Sequence, residues 1–168
     1  MTIRHAIHLA VGLAMLSPAV ARAQSPGAPS LTITAHNISA AARRTSGASR
    51  DSMLARPGDS LRYTLVFTNH ASGAVNNVQF VDPLPSGLVY MLGTARADRP
   101  VRIEYSIDGG KSYVAQPTVS VMENGARVQK PAPREAYTHI RWTVIGTLAP
   151  AGHVTAEFEA QVRTQSGS

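Results

Sequence analysis

Four histidines (His36, His70, His139 and His153) and three methionines (Met53, Met91 and Met122) follow residue 24, bringing together the imidazole and thioether donors that copper favours. No two of these histidines stand two residues apart, the spacing with which one strand chelates a metal. His139 and His153 fall on the polar faces of the last two expected strands, where solvent exposure is the ordinary outcome. Asp82 is the most tempting single acid, at the end of an expected strand. General acid and base work needs a second positioned group, and no paired acid stands near it in sequence. Its structural reading is stronger: the carboxylate can accept hydrogen bonds from the amides of Leu84 and Ser86 and brace a loop whose prolines donate none. Asp108 lies in Ser106-Ile107-Asp108-Gly109-Gly110-Lys111-Ser112-Tyr113, which is similar to the Asp-box hairpin of sialidase-like propellers. In that hairpin Asp and Ser hold the turn. A propeller repeats the motif in every blade, and here it occurs once, so a braced hairpin is expected rather than a glycosidase. The chain has no cysteine, no Gly-x-Ser-x-Gly elbow, no His-Glu-x-x-His and no phosphate loop. No catalytic, metal or cofactor residue is assigned, and the chain is not expected to be an enzyme.

The elements that must position these residues alternate with the period of a strand. Leu61, Tyr63, Leu65 and Phe67 face one way and Arg62, Thr64, Val66 and Thr68 the other. Pro57-Gly58-Asp59 opens that strand, and a turn beginning at Asn69 closes it. A strand over 75–81 is expected next, ended by Asp82-Pro83-Leu84-Pro85 because proline lacks a backbone donor. Strands are also expected over 31–35, 88–92, 101–107, 119–122 and 126–128, the last two joined by Asn124-Gly125. Segments 95–100 and 130–136 read as connections, and 37–56 as a long surface loop in preference to a short irregular segment over 38–44. Ile140 and Trp142 share one face of the strand over 137–145. In the last strand Val154, Ala156, Phe158, Ala160 and Val162 alternate with polar residues. Tyr63, Phe67, Trp142 and Phe158 are the expected core aromatics. Short strands with frequent turns and no sustained helical period predict an all-β antiparallel sandwich.

Pro57, Gly58, Asp59, Tyr63, Asn69, Asn77, Val78, Asp82, Leu84, Pro85 and Gly87, with a closing Trp142, Gly146, Leu148 and Pro150, form a pattern. It resembles the bacterial conserved repeat domain, also called the domain-of-unknown-function eleven family. The resemblance implies an immunoglobulin-like module of secreted and cell-envelope proteins and carries no chemistry with it. Gly58, Asp59, Asn69 and Asp82 are expected at turns and strand ends of that module, and Asp108 and Gly110 in the braced hairpin over 106–113.

The N-terminus reads as a secretory signal peptide. Arg4 precedes an apolar run over 6–16, Pro18 follows, and Ala21-Arg22-Ala23 supplies a cleavage site after residue 23. The apolar run falls short of the ~20 residues that cross a bilayer. Residues 24–30 form an expected linker, 31–164 a single sandwich domain and 165–168 a disordered tail. The chain carries 16 basic and 10 acidic residues; cleavage removes Arg4 and Arg22 and leaves a smaller basic excess. Arg43, Arg44, Arg50 and Arg56 concentrate that excess in one stretch, with Asp51 as its one acid. They are candidate contacts for an anionic envelope polymer, weighed against a solvated arginine-rich loop. No aromatic residues interleave with them, which disfavours nucleic acid. The expected function is a non-enzymatic, exported (periplasmic or secreted) interaction module whose partner is an envelope protein or anionic polymer. The alternative is a small periplasmic carrier of copper or carbohydrate.

Overall fold

The computed structural model describes residues 28–45 and 55–164. The expected signal peptide, Arg50, Met53 and the C-terminal tail lie outside the described residues. β1 (Ser30–Asn37) leads into α1 (Ile38–Thr45), and β2 (Ser60–Thr68) follows. Next come β3 (Val75–Asn76), β4 (Gln79–Pro83), β5 (Leu88–Tyr90), β6 (Arg96–Ala97) and β7 (Val101–Ser106). The hairpin of β8 (Thr118–Glu123) and β9 (Ala126–Pro131) precedes a 3-10 turn, Arg134–Ala136. β10 (His139–Val144), β11 (Thr147–Leu148) and β12 (His153–Val162) complete the chain.

All strand pairs are antiparallel. The larger sheet runs β1-β2-β12-β5 with β6 also on β12; the smaller runs β4-β10-β7. The two face each other through aromatic contacts. Phe67 of β2 stacks on Phe80 of β4 with ring centroids 5.9 Å apart, Trp142 of β10 lies 6.0 Å from Phe158 of β12, and Tyr90 of β5 lies 5.4 Å from Tyr105 of β7. β2 therefore covers β4, β12 covers β10, and β5 covers β7. Trp142 and Phe158 are fully buried, while Tyr63 and Phe67 are partly buried against the same cluster. Burying each such side chain contributes about 1.5–3 kcal/mol. On the outer faces, arginines and glutamates are matched across strands: Arg62 with Glu159 at 2.8 Å, Arg141 with Glu104 at 2.9 Å, and Arg96 with Glu157.

Several expectations need correction. The 37–56 stretch is not wholly loop, because α1 occupies its first part. Asn37 caps it, its Oδ1 accepting the Ala40 amide at 2.8 Å, and Ala40, Ala41 and Ala42 carry little side-chain entropy cost. The strand over 75–81 is broken: Asn77 takes φ 53°, so β3 pairs with β11 while β4 pairs with β10. Asp82 and Pro83 do not end the pairing, since β4 continues to Pro83 opposite His139. The 95–100 connection contains β6, and β9 runs to Pro131 in the expected loop over 130–136.

Candidate functional site

Asp59 is buried at the start of β2 and is held from every side. The Arg43 guanidinium donates to it from Nη1 to Oδ1 at 2.6 Å and from Nη2 to Oδ2 at 2.9 Å. Asn37 Nδ2 at 2.9 Å and the Arg56 amide at 3.0 Å also donate to Oδ2. The Arg43 guanidinium beside it, opposed by burial, holds this carboxyl well below the usual carboxylate range. The clamp joins β1, α1 and the turn at Gly58, whose φ of 87° suits glycine and whose amide bonds Val162 O at 2.9 Å. Arg43, a candidate contact for an anionic polymer, is engaged here in an ion pair with buried Asp59. Arg56 is exposed and acts on Asp59 through its amide; Arg44 lies near the end of α1.

Asn69 and Asp108 also brace turns. Asn69, fully buried, donates from Nδ2 to the carbonyls of Gly73, Leu148 and Ala149 at 3.0–3.1 Å and accepts the Ala71 amide at 3.0 Å. Asp108 Oδ1 accepts the Ser106 hydroxyl at 2.7 Å and the Lys111 and Ser112 amides at 3.1 and 3.0 Å; its Oδ2 accepts the Ser112 hydroxyl at 2.5 Å. The Ser112 hydroxyl, then that of Ser106, hold the carboxyl far down. Gly110 takes φ 84°, and a Cβ there would approach His139 Nε2 and the Tyr113 hydroxyl to 3.2 Å.

Asp82 does not brace its loop. The Leu84 amide donates to Thr138 O at 2.8 Å instead, because β4 continues past Asp82 against β10. The Asp82 side chain turns inward with Phe80, the residue is 5% exposed, and Oδ2 is buried without a hydrogen-bond partner. Burial pushes the carboxyl up to about 6, and its charge helps burial raise the Tyr63 phenol on β2. Among the described residues no acid or base side chain hydrogen-bonds it.

Among the described residues no three His, Cys, Asp or Glu side chains converge as a metal site would need. His70 Nε2 meets Ser30 Oγ at 2.8 Å, and His139 Nδ1 meets Thr138 Oγ1 at 3.0 Å. Among the described residues no helix is long and apolar enough to cross a membrane.

The β1 edge, which sequence reasoning had not singled out, is open among the described residues. β1 pairs with β2 alone, and among the described residues nothing pairs with its other side. Register sets Leu31, Ile33 and Ala35 opposite Phe67, Leu65 and Tyr63, so their side chains share the inward face. The smaller sheet ends at β4, under β2, and leaves that face of β1 uncovered: Leu31 is 39% and Ile33 44% exposed. β1 carries no Lys, Arg, Asp, Glu or Pro, the residues that ordinarily protect a free edge. No family model matches this chain, and neither a curated protein nor a solved structure is found to resemble it.

Proposed function

We propose that this chain is an exported, non-enzymatic, immunoglobulin-like interaction module, and that it engages an envelope protein by accepting a strand alongside β1. The observation that carries the reading is the uncharged, one-sidedly paired β1 with its overhanging Leu31 and Ile33. A free edge offers N–H and C=O groups to an incoming strand, and alternate apolar side chains of that strand would pack beside Leu31 and Ile33 on the inward face. The pattern from Pro57 to Pro150 and the signal-like N-terminus support an envelope address. The polar groups gathered around Asp59, Asn69 and Asp108 hold turns, which suits a rigid scaffold.

The test compares the wild-type chain with a Leu31→Lys, Ile33→Lys double variant, each bearing a photo-crosslinker at Thr34, in envelope extract. Both lysines replace exposed side chains, so thermal melting should change little. The expected result is one cross-linked protein recovered with wild type, lost with the double variant and competed by a synthetic peptide of its cross-linked segment. Equal capture by both proteins would overturn the reading.

A further inference from the structure

We propose that a tyrosine-lined cleft at the opposite edge of the sandwich binds an extended, proline-containing peptide. The cleft lies between β5, β7 and the base of the β8–β9 hairpin and has a volume of about 430 Å3. That is within the ~300–1,000 Å3 of clefts that hold compact ligands. Tyr90 forms its buried floor, and the rings of Tyr90, Tyr105 and Tyr137 sit mutually 5.3–5.5 Å apart by centroid. Pro117 and Pro131 line the hairpin side, fixed by the Ala132 amide on Pro117 O at 2.9 Å and by the pairing of Thr118 with Pro131. Leu92 stands at the rim, 54% exposed.

The hydrogen-bonding inventory selects the ligand. The Tyr90 hydroxyl accepts the Ala95 amide at 3.2 Å and shares one proton with the Tyr105 hydroxyl at 3.1 Å. When Tyr90 gives that proton, the proton of Tyr105 has no acceptor among the described residues. The Tyr137 hydroxyl makes no hydrogen bond there either, yet is not among the enclosed polar atoms, so it remains reachable from the cleft. Burial raises both phenols, which keeps them as donors. Among the described residues no charged side chain lines the cleft, and Gln116 and Thr118 are its other polar side chains.

A charged ligand would find no counter-charge here. A sugar spreads hydroxyl groups around its whole ring edge, and besides the tyrosine hydroxyls the cleft offers the side chains of Gln116 and Thr118 to answer them. A polyproline-like segment offers apolar rings for the tyrosine faces and bare carbonyls for phenolic donors, with no proline N–H left to satisfy. Such a segment is already extended in the free state, so little ordering entropy opposes binding. This surface is separate from β1, so the two readings stand or fall apart.

The experiment is fluorescence anisotropy of a labelled nonaproline peptide titrated with the full chain, beside a Gly-Ser peptide of equal length. p-Cresol and a chitooligosaccharide serve as alternative probes. Saturable binding of nonaproline and none of the Gly-Ser peptide is expected. Leu92→Asp, at an exposed position, should weaken it about 10-fold. Tyr137→Phe, which keeps the ring, should weaken it about 3- to 10-fold. The Leu31→Lys, Ile33→Lys variant should bind as wild type. Failure to saturate, affinities untouched by both cleft variants, or Leu92-dependent binding of p-cresol or the sugar without binding of nonaproline would each overturn the proposal.

Discussion

Replacing Asp82 by asparagine should abolish a specific loss of stability that the wild-type protein suffers as pH rises. Asp82 is 5% exposed and its Oδ2 has no partner, so ionising it in the folded state means charging a carboxylate in an apolar interior. Burial raises the carboxyl from an ordinary 3.8 to about 6. Between those values the folded protein keeps a proton that the unfolded chain has released. The stabilisation is therefore complete below 3.8, declines as pH rises, and is gone above about 6. At ~1.4 kcal/mol per pH unit, the gap corresponds to about 3 kcal/mol. Asp59 and Asp108 are shifted the other way, so their contribution is present above the ordinary carboxylate value and lost as pH falls below it. Those groups are common to both proteins and cancel in the difference between wild type and Asp82→Asn. The constant effect of the new amide also cancels when two pH values are compared. Urea denaturation followed by the fluorescence of buried Trp142, at about pH 3.5 and about pH 8, measures that difference. The variant should gain about 3 kcal/mol on wild type across the interval. Parallel pH profiles, or a wild type that gains on the variant with rising pH, would refute the account of Asp82.

Three further outcomes follow from the same geometry. Asn69→Asp exchanges a buried amide that donates to three carbonyls for an acceptor, and should cost about 2–4 kcal/mol in urea denaturation near neutral pH. Phe158→Ala, in the fully buried contact of β12 with Tyr63, Tyr90 and Trp142, should cost about 3–5 kcal/mol by the same assay. Gly110→Ala forces a side chain into φ 84° against His139 and Tyr113, and should lower stability by about 1–3 kcal/mol, with amide-exchange protection lost first in the 106–114 hairpin.

What could be read in the sequence follows from which physical signal each element carries. β2, β10 and β12 turn one face to the core and a polar face outward, so alternation placed Leu65, Trp142 and Phe158 inside before any packing was known. The brace at Asp108 was legible because all of its hydrogen bonds close within a few residues. α1 was missed because Ala40, Ala41, Ala42 and Arg43 make no apolar stripe; its signal was the N-cap, Asn37 three residues before Ala40. The break at Asn77 had a cue in the residue type, since asparagine tolerates positive φ better than other residues with a Cβ.

The β1 edge and the buried Asp82 were illegible for a shared reason. Alternation tells which way a side chain points, but nothing in it tells how far the opposite sheet extends. Leu31 and Ile33 have the pattern of core residues and point inward as it requires, yet the smaller sheet stops one strand short of them. Asp82 has the pattern of a loop acid, yet β4 carries it inward opposite Ile140 and toward Tyr63. Both departures concern β4 as the last strand of the smaller sheet: among the described residues its outer edge is unpaired and β1 projects beyond it, so a strand added alongside β1 would flank Leu31 and Ile33 on that projecting face.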